Sequence, residues 1–308
     1  MLPDPRRGHP VALFGRAAGG LERRMWADGR TRGAAYTAVA VGVPTAAVVA
    51  VDRRLGGRAR VLAVAGVTWA VLGARSLRAE ARAVEELLLA DDLPAARVRL
   101  THLVGRDTSE LSADEVARAA VESVAENSCD AIVAPLLWGA AAGPAGLVGY
   151  RAVNTLDAMV GHKSARYLQF GWAAARLDDL ANLVPARVTA VLTAIVAPSV
   201  GGSPSVALRV ARRDGRRHPS PNSGFSEAAF AGALDRRLGG RNVYAGRVEE
   251  RPVLGDGPSV GVDDLARAQR LSAAVTAVAA VAAFVAAGLA GLATGRRQRS
   301  SRSPSVSR

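Results

Sequence analysis

The chain has 308 residues, 49% of them hydrophobic but only 4% aromatic, one cysteine and a formal net charge of +13. One cysteine excludes an internal disulfide and a cysteine metal cluster. The basic excess carries no aromatic interleaving, so it speaks against nucleic acid as a partner and for a membrane protein with Arg-rich flanks.

Met1–Gly33 is polar and Arg-rich, with no cleavable signal peptide, and Asp4-Pro5 and His9-Pro10 are expected to break any helix there. Five apolar stretches follow: Ala34–Val51 (18 residues), Val61–Ala74 (14), Ala131–Tyr150 (20, interrupted by Gly143-Pro144), Val188–Val200 (13) and Leu271–Thr294 (24). A crossing helix needs roughly 20 apolar residues. The first, third and last are therefore span candidates, and the second and fourth are buried or re-entrant pieces. Both ends are Arg-rich and expected on the cytoplasmic side, which four spans allow and five do not.

Between the stretches lie polar helices. Arg75–Leu100 is expected to be helical, and Ser112 with Glu115 forms a capping box opening a helix to about Cys129. Arg151–Pro185 is mostly helical, punctuated by Gly161 and Gly171. Ser203–Arg270 is rich in turns, at His218–Asn222 and Gly239-Gly240. The fold class is all-α, a multi-pass helical integral membrane protein with polar helical segments between its spans. Residues 1–294 form one helical membrane domain and 295–308 a basic, disordered tail.

Several polar clusters abut the apolar stretches. Glu122, Glu126 and Asp130 fall at helical spacing, where like charges repel and call for a cation such as Mg²⁺. Asn154 and Asp157 share a face, and Lys163 can reach a phosphate, although Gly161–Ser164 is no P-loop. Asp178 and Asn182 are four apart beside Asp179, with Arg176, Arg187 or a metal as expected partners. Gly105–Thr108, Ser220–Gly224 and Gly239–Gly246 could cradle an anion or merely turn. A transporter with intramembrane carboxylates is the alternative reading; transport sites usually sit in mid-span, whereas the acids here flank the apolar stretches.

The ordered motifs GRDT, ESVAEN-x-x-D, NTLDAMVGHK, ARLDDLANLVPAR, HPSPNSG and LGGRNVYAG resemble the cobinamide-phosphate synthase (CobD/CbiB) family over about Asp4–Gly255. The resemblance implies a multi-pass cell-membrane enzyme of cobalamin biosynthesis. It would join aminopropanol, or its O-phosphate, to the carboxylate of adenosylcobyric acid, an amide ligation driven by ATP with Mg²⁺. Its partners would be the corrinoid substrate, the amine, the lipid bilayer and other late membrane enzymes of the pathway. Ligation needs an activated carboxylate, for example an acyl phosphate. Glu122, Glu126, Asp157, Asp178, Asp179 and Lys163 are the catalytic candidates. Glu122, Glu126, Asp130 and Asp178 are the metal candidates. The substrate-binding candidates are Arg106, Asp107, Asn127, Asn154, Arg176, Asn182, Arg187, Asn222, Asn242 and Tyr244. Members commonly carry an apolar segment before the DP motif, where Met1-Leu2-Pro3 stands here. They commonly have an aromatic residue at His162 and Ala at Ser223, and nothing matching the tail after Thr294.

Overall fold

The computed structural model describes residues 8–244 and 247–300, with side chains described outside 243–248 and 290–300. In chain order its helices are α1 (Pro10–Met25), α2 (Arg30–Asp52), α3 (Gly57–Val71), α4 (Ala74–Leu89), α5 (Leu93–Leu100), α6 (Ala113–Ser128) and α7 (Ala134–Leu156). Then come α8 (Trp172–Ala181), α9 (Leu183–Val196), α10 (Pro204–Asp214), α11 (Ser223–Leu234) and α12 (Asp264–Ser300). The helical membrane class holds, with one addition the sequence reading missed: β1 (Leu238–Tyr244) pairs antiparallel with β2 (Arg247–Leu254). Gly239 and Gly240, expected as a plain turn, sit at φ 85° and 89° where the register shifts near the start of β1. That irregularity lets a strand begin against α6.

One expectation at the start of the chain is corrected. Pro10 does not break a helix but begins one, since its missing N–H falls where no partner is needed, and His9 caps Val11 N–H at 3.3 Å. At the other end α12 is described to Ser300, and 301–308 of the expected tail lie outside the described residues. The expected capping box is present: Ser112 Oγ accepts from Glu115 N–H and Glu115 accepts from Ser112 N–H.

The stretch Ala131–Tyr150 departs most from expectation. By length and apolarity it belongs to one of five helical stretches among the described residues able to cross a membrane, with Arg30–Asp52, Gly57–Leu89, Leu183–Val200 and Asp264–Leu289 as the others. Yet the backbone turns back on itself at Ala142 (φ −131°, ψ 16°) and Gly143 (φ 62°, ψ −149°). Gly143 supplies the positive φ, and Pro144 begins the return limb. Gly146 lies against the Trp138 carbonyl and Gly139 against Leu147, so both limbs need small residues. Asn154 reaches Asp130 at 3.4 Å, whereas a straight helix would hold them about 36 Å apart.

Two zones result. On the site side, α4, α5, α6, α10, α11 and the first turns of α12 share a core around Val84, Leu100, Val121, Phe230, Leu234 and Leu271. Gly224–Leu234 of α11 is buried throughout. Away from it α2, α3 and the middle of α12 leave Val43, Leu62, Val281 and Phe284 exposed, as lipid-facing helices do.

Candidate functional site

The α7 hairpin and two wide helical turns build the site. Each turn, Cys129–Val133 and Asp157–Gly161, is π-helical and carries an aspartate, Asp130 and Asp157. Such turns widen the backbone and often mark functional positions. The return limb presents Arg151, Asn154 and Asp157 opposite Asp130, while α8 brings Asp178 and Asp179, and α6 brings Glu126. Asn154 Nδ2 donates to Asp130 and also engages Asp178. Asn182 Nδ2 donates to Asp178 Oδ2 at 3.0 Å, and Tyr150 Oη lies 2.8 Å from Asn182 Oδ1.

Among the described residues, buried Asp178 Oδ1 has no hydrogen-bond partner, and neither has Arg151 Nε. Burial, with Asp179 and Glu126 nearby, pushes Asp178 up to about 6 against the opposing bonds from Asn182 and Asn154. Burial also raises Asp179, opposed by Arg176 and Lys163. Arg176 pairs with Asp179 at 3.7 Å on an exposed face, and Lys163 is exposed at the rim. Glu126 accepts from Ser223 Oγ at 3.0 Å. Among the described residues no ion pair reaches Glu126, Asp130, Asp157 or Asp178. Nor do three acidic, His or Cys groups stand at metal-ligating distance of one point. The donor set is of the oxygen type that suits Mg²⁺, which keeps several waters and so needs only one or two carboxylates. The orphaned Asp178 oxygen fits that use.

A second cluster sits one turn up α6. Arg106 donates to Glu122 and to Asn242 Oδ1, with both partners of the ion pair buried. Arg118 donates to the other Glu122 oxygen at 3.2 Å, and Gly239 N–H reaches it at 2.8 Å. Glu122 is thus held by two arginines and a backbone N–H, a hub joining α6 to β1. Arg106 and Asn242 belong to that hub, and Asn242 Nδ2 has no partner among the described residues.

The remaining candidates are dispersed. Asp107 is exposed and accepts Ser109 N–H at 3.0 Å, closing its own turn. Asn127 donates back to Ser123 O at 2.9 Å along its helix. Asn222 bridges the Asp179 carbonyl and Arg187 Nη1, each at 2.8 Å, and Arg187 lies over Phe225. They brace the site from its side. The side chain of Tyr244 lies outside the described residues.

Sequence reasoning missed Arg151, Glu227 and His218. Arg151 follows 20 apolar residues, and Glu227 is alone in the apolar helix α11; an isolated charge in such a run is the signal. His218 Nε2 faces Glu227 Oε1 at 3.7 Å, and its Nδ1 accepts Ser220 N–H at 3.1 Å. Burial, then Glu122 and Glu126, raises Glu227 well above the carboxylate range; burial and Arg251 lower His218.

A family model described as CobD/Cbib protein matches residues 1–272. The chain is 55% identical over 272 residues to the cobalamin biosynthesis protein CobD of Mycobacterium tuberculosis (strain ATCC 25618 / H37Rv), covering 88% of this chain and 87% of the relative. It is 48% identical over 266 residues to that of Geobacter metallireducens (83% of each chain), and 46% identical over 271 residues to that of Rhodobacter capsulatus (86% and 85%). No solved structure matches. With its motifs spread over α6, α7, α8, α11 and β1 gathered around two acidic clusters, this chain belongs to the CobD/CbiB family of cobalamin biosynthesis proteins.

Proposed function

We propose that the protein is a cobinamide-phosphate synthase of the cell membrane, forming an amide between the free carboxylate of adenosylcobyric acid and aminopropanol or its O-phosphate. The observation that carries this reading is the group of Glu126, Asp130, Asp157 and Asp178, which lacks ion-pair partners among the described residues and leaves an Asp178 oxygen unsatisfied. Uncompensated buried carboxylates are costly, and they persist where a bound cation or cationic substrate completes them.

One or two of these carboxylates, Asp178 with its unpaired oxygen first among them, would hold Mg²⁺. When bound with ATP, the ion would neutralise phosphate charge as the carboxylate is activated. Asn154 and Asn182 hold the carboxylates in place from the hairpin and from the α8–α9 junction. Arg151, bonded to Asn154 at 3.4 Å, offers an N–H to an anion beside Asp130. Lys163 stands at the rim, where it would attract a phosphate as a point charge. The Glu122–Arg106–Asn242 hub fixes β1 over this face and positions the rest.

The test is reconstitution. Purified protein in detergent, given adenosylcobyric acid, aminopropanol phosphate, ATP and Mg²⁺, should yield cobinamide phosphate. Absence of product, while a relative makes it in parallel, would sink the reading. Omitting ATP or Mg²⁺ singly tests each requirement.

A further inference from the structure

We infer that neither the α7 hairpin nor the α8–α9 helix crosses the bilayer: both enter or lie on the leaflet beside the site and return to the face they came from. The occupant of their exposed apolar surfaces is then the acyl chains of that leaflet.

The geometry of α7 carries the first half. Each limb of the hairpin pairs with the other, Trp138 with Gly146 and Asp130 with Asn154, so its two ends stand at one level. The descending limb, Ala131–Ala142, has 12 residues, about 18 Å, against roughly 30 Å of hydrocarbon. Its tip, Gly139–Gly149, holds no polar side chain, and Ala141 and Ala142 are exposed. A turn emerging into water on the far side would be expected to carry polar residues. The α2–α3 turn shows that contrast: Asp52, Arg53, Arg54, Arg58 and Arg60 surround it, with Arg60 bonded to Asp52 at 2.8 Å.

The second half rests on where α8 and α9 begin and end. Trp172 lies under the Arg30 guanidinium at the start of α2, and the Val200 carbonyl accepts from Arg267 in the first turns of α12. Those two helices run the same way. Gly33 of α2 meets Phe170 beside the hairpin's open end, and Thr45 meets Gly149 nearer its tip. Likewise Ser272 of α12 bonds Ser128, and Val275 lies deeper, against Val133. Their starts therefore lie on one face and their far ends on the other, so the two Arg-rich ends do not share a side, contrary to the expectation from charge alone. The helix bends at Asn182, three residues before Pro185, and shows Leu177, Leu180, Val184, Val191 and Ile195 along one exposed stripe. Such a stripe on a helix with both ends on one face is the mark of an interfacial helix. The acidic site then sits at the hairpin's mouth, level with the membrane surface.

The experiment reads location, not turnover, so its outcome is separable from the ligase reading. In a Cys129→Ala background, single cysteines replace Ser109, Ala165, Ser205 and Arg54 of the full chain in sealed vesicles. Each is then exposed to a membrane-impermeant maleimide from one face at a time. Ser109→Cys, Ala165→Cys and Ser205→Cys should label from one face, with loss of labelling from the other, and Arg54→Cys should do the reverse. Labelling of the Ser109 and Ala165 positions from opposite faces would overturn the hairpin. Opposite faces for Ala165 and Ser205 would overturn the interfacial helix. Ala142→Cys should stay unlabelled from both faces until detergent is added; labelling from the Arg54 face would refute the lipid-buried tip.

Discussion

Glu122 and Asp178 are both acidic, one buried and the other half-buried with an enclosed oxygen, yet their surroundings are opposite. Glu122 is closed in by Arg106, Arg118 and Gly239 N–H. Among the described residues Asp178 has the amides of Asn182 and Asn154, other acids around it, and an oxygen without a hydrogen-bond partner. A compensated charge is a structural joint, and removing its partner strands it. An uncompensated one is held in readiness for a ligand, and removing it relieves repulsion. The two clusters should therefore respond to substitution in opposite senses.

The largest expected effect is on stability. Arg106→Ala leaves Glu122 buried with half its compensation and should cost about 3–5 kcal/mol, read as a fall in Tm in detergent. A Tm within error of the parent would show that the hub is dispensable. In the open cluster, Asp178→Asn and Glu126→Gln should lower turnover by on the order of 100-fold or more while Tm stays level or rises. Added Mg²⁺ should raise the parent's Tm and not that of Asp178→Asn. Unchanged turnover in both variants would remove them from the site.

Gly146→Val sets the new side chain against the Trp138 carbonyl and should cost about 1–3 kcal/mol, with turnover falling as the limbs separate Asp130 from Asn154. A variant as stable and active as the parent would contradict the close limbs. The smallest effect is one of pH. Glu227 is raised in the folded state, so its contribution is fully present below the unfolded carboxylate value and is lost as pH rises towards its folded one. Glu227→Gln should flatten the decline of Tm with rising pH. If the slope persists unchanged, that proton is not held in α11.

Residue order alone determined much here. Apolar runs of spanning length separated by acidic and amide clusters point to a helical membrane protein, because a helix satisfies its own backbone in lipid and charged segments are costly there. Six motifs carried the family, and the one-turn spacing of Glu122, Glu126 and Asp130 announced a charged helix face. Tertiary structure decided which of those carboxylates is paired. Arg106 lies 16 positions from Glu122, and Gly239 lies 117 from it, distances over which no local periodicity operates. It also decided the path of Ala131–Tyr150. Length and apolarity read that stretch as a span, while a positive φ at Gly143 and contacts across Gly139 and Gly146 fold it double. Hydropathy measures how much apolar chain there is; the direction it takes depends on one backbone rotation and on the small residues that let two limbs meet.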